Sequence, residues 1–350
     1  MTETTTHCTI LGGGIAGLAA ANALQSQGVA VSVVDKGQGI GGRLASRRLR
    51  WDPDPQVLGV ADYGALQFRV TDPRFQHQVD RWVEQGLLRL DPSSAPNAEQ
   101  GQLGHLYSGT SSLRTFTQRI SQDLSLYLKT RVTQIHWQAT TQTWELTALN
   151  PTGTAVPLLL HPTHLIVTCP VPQTLVLLQE SAIPLTPEQH HNLHNVRYHP
   201  CLTVLLLLAN PSQIPATGLR KAELPPELSA LRCHYHSGIS PQGYAVTLQA
   251  SPTFSEQHWE AEDSWIINQL ITLAQPWLGS SVLTQHLHRW RYSQPAQYYL
   301  CSDRPHLALQ PNLILAGDAF TTQQQEIDPS LSVQQAFLSG LSAAAAITEI

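Results

Sequence analysis

Cys8-Thr9-Ile10-Leu11-Gly12-Gly13-Gly14-Ile15-Ala16-Gly17 decides the fold. The first four residues read as a short buried strand. Gly12, Gly14 and Gly17 then satisfy G-x-G-x-x-G. Apolar residues at Ile15, Leu18, Ala19, Ala23 and Leu24 follow at helical spacing. A second strand, Val29 to Val34, ends at Asp35. This is a βαβ opening of about 30 residues with an acid at the end of its second strand, the arrangement that binds a dinucleotide. Gly12 permits the tight turn, Gly14 lets a pyrophosphate approach the backbone, and Gly17 lets the helix lie close to the sheet. The helix start at Ile15 and Ala16 offers free N–H groups and a positive dipole end to the phosphates. Asp35 can accept hydrogen bonds from a ribose.

Composition bounds the function. The chain has 350 residues, 42% hydrophobic and 13% charged, with a formal net charge of −5. That length holds two subdomains with a sizeable core. The charge argues against broad polyanion binding, so no nucleic-acid partner is expected. The threonine-rich, acidic start lacks the form of a secretory signal. The longest strongly apolar run, Leu202 to Ala209, is too short to span a bilayer and reads as a buried strand. A cytoplasmic protein with no membrane partner, monomeric or homodimeric, is the expectation. The five cysteines, Cys8, Cys169, Cys201, Cys233 and Cys301, contain no C-x-x-C and read as small core residues. Sixteen histidines include a helical set, His190, His191 and His194, and two alternating pairs, His234/His236 and His286/His288. None has the spacing of a recognised metal site, so no metal is expected.

Further along, Phe75 to Leu88 patterns as an amphipathic helix with Val79, Trp82 and Val83 inward. Asp91 to His105 reads as a surface loop. Thr130 to Trp137 and Trp144 to Thr147 alternate as strands. His164 to Cys169 is a buried strand, and Gln173 to Leu178 starts a helix. Residues from about 185 to 300 form a separate block with a proline-rich loop, Asn210 to Pro226, and an amphipathic helix, Phe254 to Leu273. Asp328-Pro329 offers an N-cap with proline at the first helical position, and Ser332-x-x-Gln335 has capping-box spacing.

After Asp35-Lys36, a second glycine turn, Gly39-Ile40-Gly41-Gly42-Arg43, closes on arginine. It resembles the FAD-binding start of the flavin amine oxidase superfamily. Asp62-Tyr63-Gly64-Ala65-Leu66-Gln67 resembles that family's Asp-x-Gly-Ala-Gln segment, with Leu66 where glutamine is usual. Trp290-Arg291-Tyr292-Ser293-Gln294, Gly317-Asp318-Ala319-Phe320 and Leu338-Ser339-Gly340 resemble the renalase branch. The resemblance covers nearly the whole chain, through specific motifs at its ends and a weak middle.

It implies an α/β fold: an FAD-binding Rossmann-like domain of the glutathione-reductase/p-hydroxybenzoate-hydroxylase type, with a second α+β substrate domain on a mixed or antiparallel sheet. The expected boundaries are 1–60, 125–182 and 300–350 for the discontinuous FAD domain, and 61–124 and 183–299 for the substrate domain. Non-covalent FAD would lie against Gly12, Gly14, Ile15, Ala16, Gly17, Asp35, Lys36, Gly42 and Arg43, whose guanidinium would fork onto phosphate oxygens. Gly64, Ala65 and Leu66 would run beside the flavin. Val132 would pair its backbone with the adenine, and Gly317-Asp318 would hold a ribitol hydroxyl. The helix starting at Ser332-Val333 would point its positive end at the flavin pyrimidine edge.

Candidate donor-side residues are Trp290, as an aromatic wall, with Tyr198, His234, His236, Arg291 and Tyr292. The renalase branch implies oxidation of misreduced 2- or 6-dihydro-NAD(P) by FAD, with O2 as acceptor and hydrogen peroxide as product. Such a donor needs a flat pocket and no general base. Oxidation of another amine, or of a carotenoid-like or quinone-like apolar substrate, is the second expectation. An FAD-holding protein without turnover is the third.

Overall fold

The computed structural model describes residues 6–92, 94, 104–149, 153–323 and 328–348. The loop expected over Asp91 to His105 falls largely outside these residues, as do the first five positions. The chain divides into two compact units. Unit 1 is Met1–Gly42, Thr117–Arg197 and Pro295–Ile350; unit 2 is Arg43–Phe116 and Tyr198–Gln294. The exchanges therefore fall at 42/43, 116/117, 197/198 and 294/295, against expected positions of 60/61, 124/125, 182/183 and 299/300.

β1 (His7–Leu11), α1 (Ile15–Ser26) and β2 (Ala30–Val34) are the expected opening. Unit 2 then takes β3 (Ser46–Trp51) and β4 (Asp54–Asp62), an antiparallel pair, followed by β5 (Phe68–Val70). α2 (Pro73–Glu84) begins cleanly because Asp72 accepts from the Arg74 and Phe75 amides and Pro73 sits at the first position. It buries Phe75, Val79 and Trp82. Val83, expected inward, is 38% exposed. At 3.6 residues per turn it lies roughly 70° from the centre of that stripe. β6 (Leu88–Leu90) and β7 (His105–Gly109) complete a small sheet in the order β5-β7-β6.

α3 (Leu113–Ile120) leads back to unit 1. There β8 (Ser125–Tyr127) is followed by β9 (Arg131–Gln138), β10 (Thr143–Leu149) and β11 (Ala155–Leu158), with β9, β10 and β11 forming an antiparallel meander. β12 (His164–Val167), α4 (Val171–Glu180) and α5 (Pro187–Asn195) follow. α5 carries a complete capping box between Thr186 and Gln189.

β13 (Arg197–Leu208), β14 (Leu219–Arg220), β15 (Leu228–Cys233) and β16 (Tyr244–Ala250) carry the chain through unit 2. The helix expected over Phe254–Leu273 is two: α6 (Pro252–Gln257) and α7 (Asp263–Leu278). Arg289 accounts for the break. It donates to the Trp259 carbonyl (3.1 Å), the Ala261 carbonyl (2.7 Å) and the Asp263 carboxylate (2.5 Å), satisfying groups a continuous helix would have used itself. β17 (Val282–Gln297) closes the block. β18 (Tyr299–Leu300), β19 (Leu307–Leu309), β20 (Leu313–Leu315), β21 (Phe320–Thr321) and α8 (Ser332–Thr348) finish the chain. Ser332 forms no capping box: its hydroxyl donates to the Pro329 carbonyl, and Asp328 caps a separate 3-10 turn at Pro329–Leu331.

Among the described residues, unit 1 carries a six-stranded sheet in the order β19-β20-β12-β1-β2-β8. It is parallel except at the β19 edge. β1 is paired on both sides, which is why its run is continuously apolar rather than alternating. α1 and α8 cover this sheet through Leu18, Leu24, Ala343 and Ile347. Unit 2 carries a five-stranded sheet, β14-β15-β16-β13-β17, whose first four strands pair antiparallel. Its two faces separate cleanly. Every second residue along β13 and β16 (Val204, Leu206, Val246, Leu248) packs on α6 and α7. The intervening positions Leu205, Leu207 and Ala245 pack on Leu49 and Ala61 of the β3–β4 pair. This second face leads to the polar groups described below. The observed class is thus the expected one, an α/β dinucleotide-binding unit joined to a unit built on an antiparallel sheet.

Candidate functional site

In unit 1 the glycine turn is fixed from three directions. Thr168, just past β12, donates to the Gly12 carbonyl at 2.9 Å. A side chain at Gly17 would put its Cβ 2.0 Å from the same carbonyl, so the first turn of α1 rests directly on the loop. At Gly13 a Cβ would meet Ile40 Cδ1 at 2.1 Å, so a larger residue there requires Ile40 to shift, although G-x-G-x-x-G leaves the position open. Gly12 itself has φ +116°, outside the range that suits other residues.

Gly14 is different. It has ordinary extended φ and ψ of −75° and 179°, and a Cβ there would meet nothing within 4 Å. It is the N-cap of α1, yet no side chain caps the helix, and no acidic residue sits in the first turn. The uncapped positive end of α1 therefore lies next to an open space beside Gly14. That is a cradle for a phosphate group, and FAD fits it.

Asp35 places both carboxylate oxygens on backbone amides: Oδ2 accepts from Gly13 and Oδ1 from Gly37, each at 2.6 Å. The acid thereby locks the two glycine turns together, and its remaining lone pairs are what a ribose could use. Gly41 donates to the Gly13 carbonyl at 2.8 Å, and Gly42 sits with its would-be Cβ 3.2 Å from the Gly14 Cα. Lys36 Nζ donates to Gln173 Oε1 at 3.1 Å. Val132 pairs with Ala148 next to a bulge in the β9–β10 ladder. Gly317 has φ +140°, and its amide donates to Ser339 Oγ at 2.8 Å. Asp318, the next residue, is buried. Gly340 would strike the Ala16 carbonyl at 2.1 Å if it carried a Cβ. The Ser339-Gly340 pair therefore sets the Gly317 turn and lets α8 close onto the α1 start. Ser332 and Val333 stand at the first turn of α8. Thr168 and the structural role of Gly13 were not singled out from the sequence, and Ser339 entered only as part of the Leu338-Ser339-Gly340 motif. Thr168 is a single polar residue in an apolar run, the only trace it leaves.

In unit 2 the second face of the large sheet carries an aromatic group. β17 presents His286, His288, Trp290 and Tyr292 at alternate positions, hence on one face. Trp290 stacks on Tyr63 (centroids 5.3 Å, 27°), and its Nε1 donates to the Tyr63 carbonyl at 2.9 Å. His288 packs edge-on against both rings, 4.3 Å from Trp290 and 4.9 Å from Tyr63. Tyr198 and Tyr292 meet edge-on at 5.6 Å, and the Arg43 guanidinium lies 6.0 Å over the Tyr198 ring. Arg43 also donates to the Ser293 carbonyl at 3.1 Å. Arg291 lies on the other side of the strand, over the Trp259 ring at 5.1 Å, and takes no part in this group.

Burial, with His286 and Arg47 beside it, holds His288 down to about 4. His286 is lowered by burial and Arg47. Burial raises Tyr63, against the opposing charges of Arg47 and Arg114. Tyr63, His286 and His288 are thus held toward their neutral forms, with the Arg47 charge acting on all three and Asp263 opposing it at His286.

The segment leading into it is held by polar contacts. Asp62 is fully buried, and burial pushes it up to about 7 against the Ser46 hydroxyl, the Leu113 amide and the charge of Arg232. Ser46 Oγ bonds Asp62 and accepts from the Arg114 amide, so the pair ties off the start of α3. Gly64 would drive a Cβ to 2.0 Å from the Arg43 carbonyl, which accepts from the Ala65 amide at 2.9 Å. Leu66 is buried. Gln249 Nε2 donates to the Gly64 carbonyl at 2.7 Å.

His234 and His236 do not alternate on a strand. β15 ends at Cys233, and 234–238 turn back, with the Ile239 and Ser240 amides both donating to the His234 carbonyl. His234 is fully buried. Its Nε2 bonds Thr247 Oγ1 at 2.8 Å, and Thr247 donates to the Asp62 carbonyl at 2.7 Å. Burial and Arg232 lower His234 to about 3, so it is a neutral strut. His236 Nδ1 bonds the Ile214 carbonyl at 2.6 Å. Neither histidine shares a hydrogen bond or ring contact with Trp290 or Tyr292 among the described residues. A donor-contacting role for His234 is thereby corrected to a structural one.

A dinucleotide cradle on a parallel sheet, with a second unit that presents an aromatic wall, defines a two-unit flavoprotein. The family model for flavin-containing amine oxidoreductases matches residues 86–348, and one for NAD(P)-binding Rossmann-like domains matches residues 10–82. The chain belongs to the flavin-containing amine oxidoreductase family, and FAD is its cofactor. Its fold is similar to that of a protein assigned as a protoporphyrinogen oxidase from Exiguobacterium sp. 255-15, with TM-score 0.67 and 14% identity over 98% of this chain and 99% of that one. Putrescine oxidase with bound putrescine gives TM-score 0.64 and 12% identity, covering 99% of each chain. At these identities the likeness is one of fold. No helix among the described residues is long and apolar enough to cross a membrane.

Proposed function

We propose that this oxidoreductase oxidises a dihydronicotinamide dinucleotide, in the manner of the renalase branch, with 2- or 6-dihydro-NAD(P) as the donor. The balanced reaction is NAD(P)H isomer + H⁺ + O2 → NAD(P)⁺ + H2O2. When bound, FAD supplies a two-electron acceptor that takes the hydride. In this reading unit 1 holds the cofactor through the Gly14 cradle, Asp35 and Gly317-Asp318. Unit 2 holds the donor, with Trp290 as the flat surface for its ring and Tyr198 and Tyr292 beside it.

The observation that carries the reading is the charge around the wall. Arg43 stands over Tyr198, Arg47 acts on Tyr63, His286 and His288, and Arg114 acts on Tyr63, with Asp263 opposing Arg47 at His286. An ammonium donor would be repelled there, whereas a phosphate-bearing donor is attracted. His288, neutral down to about pH 4, offers no positive charge of its own and no base poised for neutral pH. A donor that expels a hydride under the push of its own ring nitrogen requires neither.

Anaerobic mixing of the holoprotein with a donor panel tests this. Fast loss of oxidised-flavin absorbance with 2- or 6-dihydro-NAD(P), then peroxide on admission of air, is the expected result. Fast bleaching by ordinary 4-dihydro-NADH alone, or by a mono- or polyamine, would overturn it. The tetrapyrrole substrate implied by the name of the Exiguobacterium protein belongs in the same panel, because its carboxylates suit the same arginines.

A further inference from the structure

We infer that one face of the β5-β7-β6 sheet, joined by Arg232 of β15, is a binding site for an anionic group, a phosphate or carboxylate. That this group belongs to the electron donor rests on the function proposed above; the site itself does not.

Register fixes the face. Phe68 lies opposite Tyr107, Arg69 opposite Leu106, and Arg89 opposite Ser108. Residues directly opposite share a face, and alternate residues along a strand return to it. One face therefore carries Phe68, Leu88 and Tyr107, and Phe68 meets Phe75 of α2 at 5.8 Å. The other carries Arg69, Arg89 and Ser108, extended by Gln67 and Asp91. Arg232 joins that second face: Nη2 bonds Asp91 Oδ2 at 2.6 Å, and Nη1 bonds Asp91 Oδ1 at 3.3 Å and Gln67 Oε1 at 2.8 Å. This face thus brings together Arg69, Arg89 and Arg232 with Asp91, and the carboxylate of Asp62 feels the Arg232 charge. Arg69 donates to the Gly104 carbonyl at 3.3 Å.

The decisive feature is the set of hydrogen bonds left unmade. Nε and Nη2 of Arg89, Nε of Arg232 and Oγ of Ser108 are all buried, and none has a hydrogen-bond partner among the described residues. Arg232 and Ser108 are at most 2% exposed. A native structure seldom leaves a buried donor unsatisfied, and here four occur on Arg89, Arg232 and the Ser108 that lies opposite Arg89. Nε and Nη2 of one arginine form the side-on fork that matches two oxygens of a carboxylate or phosphate. Gly238, at φ +75°, lies against the same guanidinium: a Cβ there would come 3.2 Å from Arg89 Nη1 and 3.7 Å from Nη2.

The test is titration calorimetry of the FAD-loaded protein with inorganic pyrophosphate and, separately, glutarate. Binding of at least one is expected, weakened ~10-fold or more in Arg89→Met and ~3-fold in Ser108→Ala. The tighter probe tells phosphate from carboxylate. Because the Arg89 fork has no partner to lose, Arg89→Met without ligand should unfold at the wild-type temperature or above, whereas a structural arginine would lower it. With a competent donor, the variant should raise KM ~10-fold with kcat within ~2-fold. Absence of binding to either probe at ~10 mM, or equal binding by Arg89→Met and Ser108→Ala, would overturn the site. Binding without flavin reduction by any dihydronicotinamide keeps the site and removes the proposed function.

Discussion

Replacing Gly14 by alanine separates cofactor binding from folding. The φ and ψ of Gly14 suit any residue, and a Cβ meets nothing within 4 Å. Alanine is a poorer N-cap than glycine by ~0.5–1 kcal/mol. It also removes unfolded-state freedom, a gain of ~0.4–1 kcal/mol. The two nearly cancel, so the FAD-free protein should keep its stability to within ~0.5 kcal/mol. FAD binding should not survive so well. The added methyl occupies the open space beside Gly14 that the proposed cradle leaves for the pyrophosphate. Losing one charge-assisted hydrogen bond there costs ~1.5–3 kcal/mol, or ~10–150-fold in affinity. Gly17→Ala is the control. Its Cβ would lie 2.0 Å from the Gly12 carbonyl. The strain, at the upper end of ~1–3 kcal/mol, exceeds the ~1 kcal/mol of helix propensity gained. Thermal unfolding of both apoproteins and FAD titration by flavin fluorescence read the two effects. Wild-type FAD affinity in Gly14→Ala, or an apoprotein as destabilised as Gly17→Ala, would refute the cradle.

Asp62 has a folded-state value near 7, above its unfolded value, so the folded state binds the extra proton between about pH 4 and 7. Stability should therefore fall as pH rises through that window, by up to ~4 kcal/mol, and Asp62→Asn should flatten the slope in a series of unfolding midpoints. Trp290→Ala should retain its FAD yet lose at least ~10-fold in kcat/KM for the competent donor, measured by flavin reduction rate against donor concentration. Arg232→Met removes the buried ion pair with Asp91 and should cost ~3–5 kcal/mol in denaturant unfolding, in contrast to Arg89→Met.

Much of unit 1 was legible because local rules dominate there. Gly12, Gly14 and Gly17 follow from a strand that must turn tightly into a helix, and β1 is apolar because it is paired on both sides. The less legible parts depend on partners distant in sequence. Ser339 reaches the Gly317 amide from 22 residues away, and Thr168 reaches Gly12 from 156. Arg289 divides α6 from α7 across 30 residues, and no helical periodicity records such a cap. His234 and His236 looked like a strand pair because period two was the only local signal. The turn that removes them from the strand is set by two amides returning to the His234 carbonyl. On β17 the same period was informative, because one face of that strand is occupied by the α6–α7 core and the other carries the aromatic wall.

Net charge shows why position outweighs total. The whole formal charge of −5 falls in unit 1, with six Lys/Arg against eleven Asp/Glu, while unit 2 carries fourteen of each. In the proposed reading unit 1 nevertheless holds the cofactor's pyrophosphate. At physiological salt a charge is screened over about 8 Å, so most of those carboxylates do not act at the cradle. The acid beside it, Asp35, has turned both oxygens onto backbone amides, and α1 has no acid in its first turn. In unit 2, Glu84, Glu256, Glu260 and Asp263 lie at the exposed surface, whereas Arg232 is buried and Arg69 nearly so. The interior of unit 2 also holds Asp62 and Asp91, so what distinguishes it is where its donors point and not an excess of one sign. Mean charge excludes a long polyanion, which must be bound over many Debye lengths. It places no bar on a single phosphate, whose binding is decided by the few oriented donors within hydrogen-bond reach.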